Sequence, residues 1–329
     1  MIGFELLTFA PVSFDDMTAL AKRGEDLGYD RVYTSESLTD TLAVDMAILT
    51  RTERIVAVSA VSVIYLRHPL ISALSATAMS DVSGGRFVLG LGVGHKVRVE
   101  AVGVQPGKPL EDVRNYIGAV RGLFDGERVY PDLPLQTYQG RPLQIRRPTA
   151  PVPIHLGAVG PRMTELGGEI ADGLILQLVP FAGLAAMRER IGVGAARAGR
   201  PASEVEMGLI VHTLVADDVE LARAKAREAL TYWVGLPGYN NSIRSSGYAE
   251  EADAIRAAFL RGDQEGIRAG LTDALLDEFC LLGPPGRCRE QLARLRESGV
   301  DMPILKPDPV LDGESYGEAV ERTLVALAP

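Results

Sequence analysis

The chain is 329 residues long, 47% hydrophobic and 23% charged, and its 43 acidic against 34 basic side chains leave a net charge of −9. This excludes a small disulfide scaffold and disfavours broad electrostatic attachment to nucleic acid or anionic lipid, so an anionic ligand has to find a local pocket. The length suits one large α/β barrel or two medium domains, each with a sizeable core.

The opening MIGFELLTFAPVSFDD has no basic segment and carries Glu5 within its apolar stretch, which predicts a first strand over 2–9 rather than a secretory signal. A helix follows over 14–27, with Ser13 as its N-cap and Gly28 beyond its C-terminus. Next come a strand over 31–35, a helix around 42–50, a strand over 55–61 and a helix from Pro69 to Gly84. The fourth strand falls at 87–91 and the next helix at 110–124. The Pro/Gly-bearing stretch 126–151 reads as an insertion with a hairpin around Gln139-Gly140. Strands five to seven are expected at 153–156, 173–177 and 205–215, with helices starting at Pro161, near Phe181 and near Val219. A second insertion at 232–277 adds helical material, and the helix 287–297, the eighth strand 300–305 and the helix 315–327 complete the pattern.

Eight strand-helix units predict a TIM (β/α)8 barrel, treated as a single domain over 1–329 because no low-complexity segment or charge run marks a linker. The longest apolar run, 55–66, is interrupted by Ser59 and Ser62 and is far below the roughly 20 residues a membrane span needs. Cys280 and Cys288 fit neither a zinc site nor a CxxC pair and read as structural or incidental thiols, so no metal is expected. A cytoplasmic protein follows from these readings.

In such a barrel the functional groups sit at the C-terminal strand ends. Here these offer Glu36, His95, His212, Lys306 and much glycine, which suits a site that leaves the chemistry to a bound cofactor. Ser83 to His95, SGGRFVLGLGVGH, is not a dinucleotide fingerprint, since His95 stands where the last glycine is required and no helix is expected directly after it. Its glycines either let the backbone lie against a flat ring or relieve crowding at a barrel corner. GAVGPRM, 157–163, ends in a proline suited to a first helical turn, whose unpaired N–H groups beside Arg162 form a plausible phosphate seat. At RHP, 67–69, His68 reads best as a packed or capping residue, and Arg67 as a surface or ion-pair residue.

Together with HLGAVGPRMTELGGEIADGLIL at 155–176 and LLGPPGRCREQLARLRESGVDMPIL at 281–305, these segments make the chain resemble the bacterial luciferase-like superfamily over nearly its whole length. It is most similar to the deazaflavin-dependent branch typified by methylenetetrahydromethanopterin reductase. The resemblance implies a homodimer that binds coenzyme F420, or alternatively FMN, across the strand ends and acts on a small organic substrate. It implies a non-prolyl cis peptide at Ala60-Val61, with Ser62 following, behind the ring; Val93 and Gly94 beside it; Arg98 near its tail; and N–H groups of Ala158, Val159 and Gly160 at its phosphate. Glu36 falls where relatives carry an acidic residue, usually followed by histidine, and is the candidate acid/base; this chain has Ser37 there instead. Hydride transfer to or from deazaflavin C5 is the implied reaction, with an FMN monooxygenase and a cofactor-free binding or structural barrel as alternatives. Lys306 could meet an anionic group, and Tyr232, Trp233, Tyr239 and Tyr248 could line a substrate pocket or pack against the barrel.

Overall fold

The computed structural model describes residues 1–8, 10–129 and 142–329. In chain order it contains β1 (Gly3–Leu6), α1 (Phe14–Asp26), β2 (Arg31–Thr34), α2 (Thr41–Arg51), β3 (Val56–Ser59), β4 (Ser62–Val63), α3 (Pro69–Ser83), β5 (Phe87–Gly92), α4 (Lys96–Ala101) and α5 (Pro109–Phe124). Then follow β6 (Ile154–Ala158), α6 (Pro161–Ile170), β7 (Gly173–Gln177), α7 (Leu184–Arg197), β8 (Glu206–Val215) and α8 (Val219–Leu230). The chain ends with α9 (Pro237–Ser245), α10 (Ala249–Leu260), α11 (Gln264–Gly270), α12 (Asp273–Leu276), β9 (Cys280–Gly283), α13 (Pro285–Glu297), β10 (Met302–Pro307) and α14 (Tyr316–Ala326).

The named strands pair in parallel throughout, and the order β10-β1-β2-β3-β5-β6-β7-β8 closes on itself through β8 and β10, with Ile304 opposite both Gly3 and Ile210. The eight strands expected from the sequence are the eight of this ring. Caps agree as well: Ser13 accepts the Asp16 N–H at the start of α1, and Gly84 ends α3 in the left-handed region.

Three elements escaped the sequence reading. β4 continues β3 beyond a break, β9 pairs with the upper end of β8, and α4 opens directly at Lys96, where no helix was expected. The tip of the expected hairpin at Gln139-Gly140 and the strand end at Phe9 lie outside the described residues, while Val129 and Leu143 form an antiparallel bridge. Among the described residues no helix is long and apolar enough to cross a membrane.

Side chains alternate between the two faces of each strand. The outward set, including Phe4, Val32, Leu89, Leu156 and Leu174, packs under the surrounding helices. The inward set at the lower end, Tyr33, Val58, Val88, Ile175, Ile210, Met302 and Ile304, fills the barrel as a separate apolar plug. Below it Arg31 binds Glu206 through two hydrogen bonds of 2.6 and 2.8 Å, sealing the N-terminal end. A third cluster joins β8 and β9 to α8–α12, so the 232–277 insertion is seated on one side of the ring.

Candidate active site at the barrel mouth

The mouth is shaped by an irregular third strand. Val58 registers with Val88 and Ser62 with Leu91, so this strand carries one residue more than β5 over the interval, a bulge at 59–61. The peptide between Ala60 and Val61 is cis, where the resemblance places it. Where the ladder breaks, the Ser59 hydroxyl substitutes for it: Oγ accepts the Gly90 N–H (2.9 Å) and donates to the Gly90 carbonyl (3.0 Å).

The glycines of GLGVG make room for that bulge. A Cβ on Gly90 would lie 1.8 Å from the Ser59 carbonyl oxygen, and one on Gly92 would lie 2.5 Å from Val61 Cγ2. Gly94 has φ +66°, and a Cβ there would meet Val63 Cγ1 at 2.9 Å. Across the ring, a Cβ on Gly157 would stand 3.0 Å from Val61 Cγ1. The crowding explanation therefore applies, and its product is a shelf with Val61 at its centre and bare backbone around it.

Glu36, Arg67 and Asp40 hold the shelf from behind. The Val63 N–H donates to Glu36 Oε2 at 2.7 Å, while Glu36 Oε1 is paired with the Arg67 guanidinium; the two side chains are only 9% and 12% exposed. Arg67 also donates to Ser62 Oγ (3.1 Å) and reaches Asp40 at 2.7 Å. Burial acts to raise the Asp40 carboxyl, but Arg67 and the N–H groups of Leu42 and Ala43 hold it below the ordinary aspartate range. Arg67 is thus an ion-pair residue, and both Glu36 oxygens are engaged.

At the neighbouring strand end, Val159 and Gly160 donate their N–H groups to no described residue. Gly160 is the N-cap of α6 without a side-chain cap, Pro161 follows, and a Cβ on Gly160 would meet nothing within 4 Å. Space, free donors and a ten-residue helix coincide there, which fits an anionic tail. Ala158 ends β6 just before them, buried. Val93 is half-buried at the end of β5. Arg98, exposed on α4, donates to the Ser37 hydroxyl (3.1 Å) and to the Ser37 carbonyl, tying α4 to the end of β2.

The floor beneath the mouth carries charges that the sequence reading did not assemble. Lys306 Nζ lies 3.7 Å from Glu5 Oε2, with side chains 6% and 3% exposed, so Lys306 is spent on a buried partner and is not available to an anionic ligand. Burial pushes the Glu5 carboxyl up, with Lys306 and His212 opposing that rise. His212 Nδ1 is 2.6 Å from Asp308 Oδ2. Glu5 Oε2 and His212 Nε2 are buried without hydrogen-bond partners. Lone charges inside the apolar strands GFEL and MPILKP were the available signal, because a buried charge requires a counter-charge.

The rim is aromatic. His95 follows Gly94, and its ring centroid lies 5.1 Å from Trp233 and 6.3 Å from Tyr239. Tyr239 is buried and T-shaped to Trp233, whereas Tyr232 is exposed in a second T-shaped contact with Trp233 and Tyr248 packs in the insertion cluster. His68 caps α3, its Nδ1 accepting the Leu70 N–H. Cys280 and Cys288 are buried free thiols.

Taken with the relatives of this chain, the closed barrel and this mouth belong to an enzyme of the oxidoreductase class. The chain belongs to the bacterial luciferase-like family, whose model, described as luciferase-like monooxygenase, matches residues 4–302. It is 30% identical over 305 residues to 5,10-methylenetetrahydromethanopterin reductase of Methanolobus tindarius, covering 91% of each chain. Among solved structures, its fold is similar to that of the coenzyme F420-dependent tetrahydromethanopterin reductase from Methanopyrus kandleri, with TM-score 0.78, 21% identity and 99% and 97% of the two chains covered. An F420-dependent secondary alcohol dehydrogenase in complex with an F420-acetone adduct is similar as well, with TM-score 0.73, 18% identity and coverages of 99% and 98%.

Proposed function

We propose that this protein is a coenzyme F420-dependent oxidoreductase that exchanges a hydride with a small organic substrate. The observation that carries the reading is the shelf: Val61 stands against Gly92 and Gly157, with the unpaired N–H groups of Val159 and Gly160 beside it. A flat tricycle needs such bare backbone, and its phosphate needs such donors. Bound there, the deazaflavin supplies the hydride-bearing carbon C5. Ala60, Val61 and Ser62 would back its ring, Val93 and Gly94 would flank it, and Val159 and Gly160 would receive the phosphate, with Ala158 closing β6 just before them. Arg98, exposed on α4, would have to give up its hold on Ser37 to meet the tail.

Glu36 acts in this reading chiefly by position, because a carboxylate bound to Arg67 and to the Val63 N–H has no free oxygen for proton transfer. Glu36→Gln keeps one acceptor and loses the ion pair. It is expected to weaken F420 binding about tenfold, a loss of about 1.4 kcal/mol. An acid/base role would instead leave affinity intact and remove turnover.

Fluorescence quenching with F420 and with FMN under the same conditions tests the whole reading. F420 is expected to bind at least about tenfold more tightly. Tight FMN binding without F420 binding establishes the monooxygenase alternative, and binding of neither by folded protein establishes the cofactor-free one. A homodimer in the cytoplasm belongs to the same proposal; α3 exposes Ile71, Leu74 and Val82, and light scattering on that preparation measures the mass.

A further inference from the structure

Reduction of a neutral C=O or C=N group consumes a proton as well as a hydride, so the chain must present a group that gives the proton up and recovers it from water. Most titratable groups around the mouth are ion-paired: Glu36 with Arg67, Lys306 with Glu5, and His212 through Nδ1 with Asp308, while the remaining His212 Nε2 is buried away from the water that would have to restore its proton. Of the chain's four histidines, His68 caps α3 and His155 lies buried at the sealed end beside Glu206, its imidazole pushed down to about 4 by burial. His95 is different. It is exposed at the rim, next to Gly94, and although it occupies the N-cap position of α4 its side chain makes no capping bond. Two rings from the insertion, Trp233 and Tyr239, hold it in place without taking its proton.

We propose that His95 is the catalytic acid/base of this site. In the reducing direction reduced F420 would be the reductant: its C5–H bond breaks as the new C–H bond forms and the C=O or C=N π bond breaks, the imidazolium form of His95 gives its proton to oxygen or nitrogen and becomes neutral, and water returns to His95 a proton equivalent to the one the oxidised cofactor loses. The reverse reaction runs the same exchange backwards. This rests on the F420 reading and narrows its substrate to a neutral carbonyl or imine, or the matching alcohol or amine, since a cationic iminium needs no proton.

The surroundings favour this chemistry. Burial on one face, then the charge of Arg98, push the His95 imidazole below the ordinary histidine value, so its proton is readily released. Arg98 on α4 and Tyr239 on α9 face it. Burial pushes the Tyr239 phenol up to about 12, so it stays neutral in the working range.

The test uses ring-labelled histidine NMR on the full chain, with His95→Gln identifying the resonance, followed by F420H2 oxidation against a panel of simple ketones, aldehydes and imines. The His95 midpoint is expected below the ordinary value of about 6.5 and to move by about half a pH unit or more when F420 is added. His95→Gln is expected to lose about 100-fold in turnover on any panel member the parent reduces, with F420 affinity retained and the histidine limb gone from the pH profile. A midpoint unmoved by F420, or turnover within about threefold of the parent, overturns the assignment while leaving the F420 reading intact. Failure of the parent to bind F420 overturns both, and shows before the variant is made.

Discussion

Gly90→Ala is expected to remove F420 binding and to lower stability by about 3 kcal/mol or more, at the upper end of what overpacking costs. Few sites in the molecule are so constrained. The added methyl would lie 1.8 Å from the Ser59 carbonyl oxygen, a backbone atom that cannot swing aside as a side-chain tip can. Relief requires β3 and β5 to separate, which breaks both hydrogen bonds between the Ser59 hydroxyl and the Gly90 backbone and carries Val61 off Gly92. Ser59→Ala separates the two consequences. It removes the hydroxyl bonds without adding a clash and leaves the Gly90 N–H and C=O buried and unpaired, which costs about 1–3 kcal/mol. Urea midpoints report the stability of each variant, and quenching on F420 titration reports the shelf. A Gly90→Ala protein with parental midpoint and parental affinity contradicts the packing account of this strand pair.

The second large effect lies at the opposite end of the barrel. The Glu25 carboxylate, at the close of α1, accepts the N–H groups of Glu53 (2.9 Å), Arg54 (2.6 Å) and Ile55 (2.8 Å) and pairs with Lys22 at 3.0 Å, fixing the loop that launches β3. Burial acts to raise its pKa, yet the three N–H donors and the ammonium outweigh it and hold the carboxyl at about 2, against 4.5 for an ordinary glutamate. A folded-state value below the unfolded one means that the stabilisation is complete above about pH 4.5 and drains away as the pH falls toward 2. After allowance for solvent screening at the barrel rim, the contribution at neutral pH is about 2 kcal/mol. Glu25→Gln is therefore expected to unfold at lower urea than the parent at pH 7, and the difference is expected to shrink at pH 3. An equal gap at both values shows that the carboxylate charge is not what orders the loop.

Neither effect could be read in full from the sequence. The ring itself was legible because each of its eight strands alternates with a helix and each helix has punctuation, such as Ser13 before α1 and Gly84 after α3. α4 was hidden by its composition: KVRVEA alternates apolar and charged residues as an exposed strand does, and no side chain caps it. β9, CLLG, lies between the helical insertion and α13, outside the strand-helix alternation that marked the ring. Among the functional positions, the glycine run was visible, but the carbonyl pressing on Gly90 belongs to a residue 31 positions away. The same holds for Glu5 with Lys306 and for Glu25 with the 53–55 loop. Long-range pairing turns these ordinary letters into constraints, and sequence spacing carries little of it. His95 stood in view at a strand end, yet its role depends on Trp233 and Tyr239, supplied by a distant insertion.

The sealed lower end has a kinetic corollary. With Tyr33, Ile210 and Ile304 filling the bore and the Arg31–Glu206 pair beneath them, the lower end of the barrel gives ligands at the mouth no second way in. Two ligands that share the mouth must queue: whichever lies deeper arrives first and departs last. A hydride carrier resting on Val61 would thus impose a compulsory order on turnover, with the reactant that meets His95 as the late arrival and its product as the first to leave.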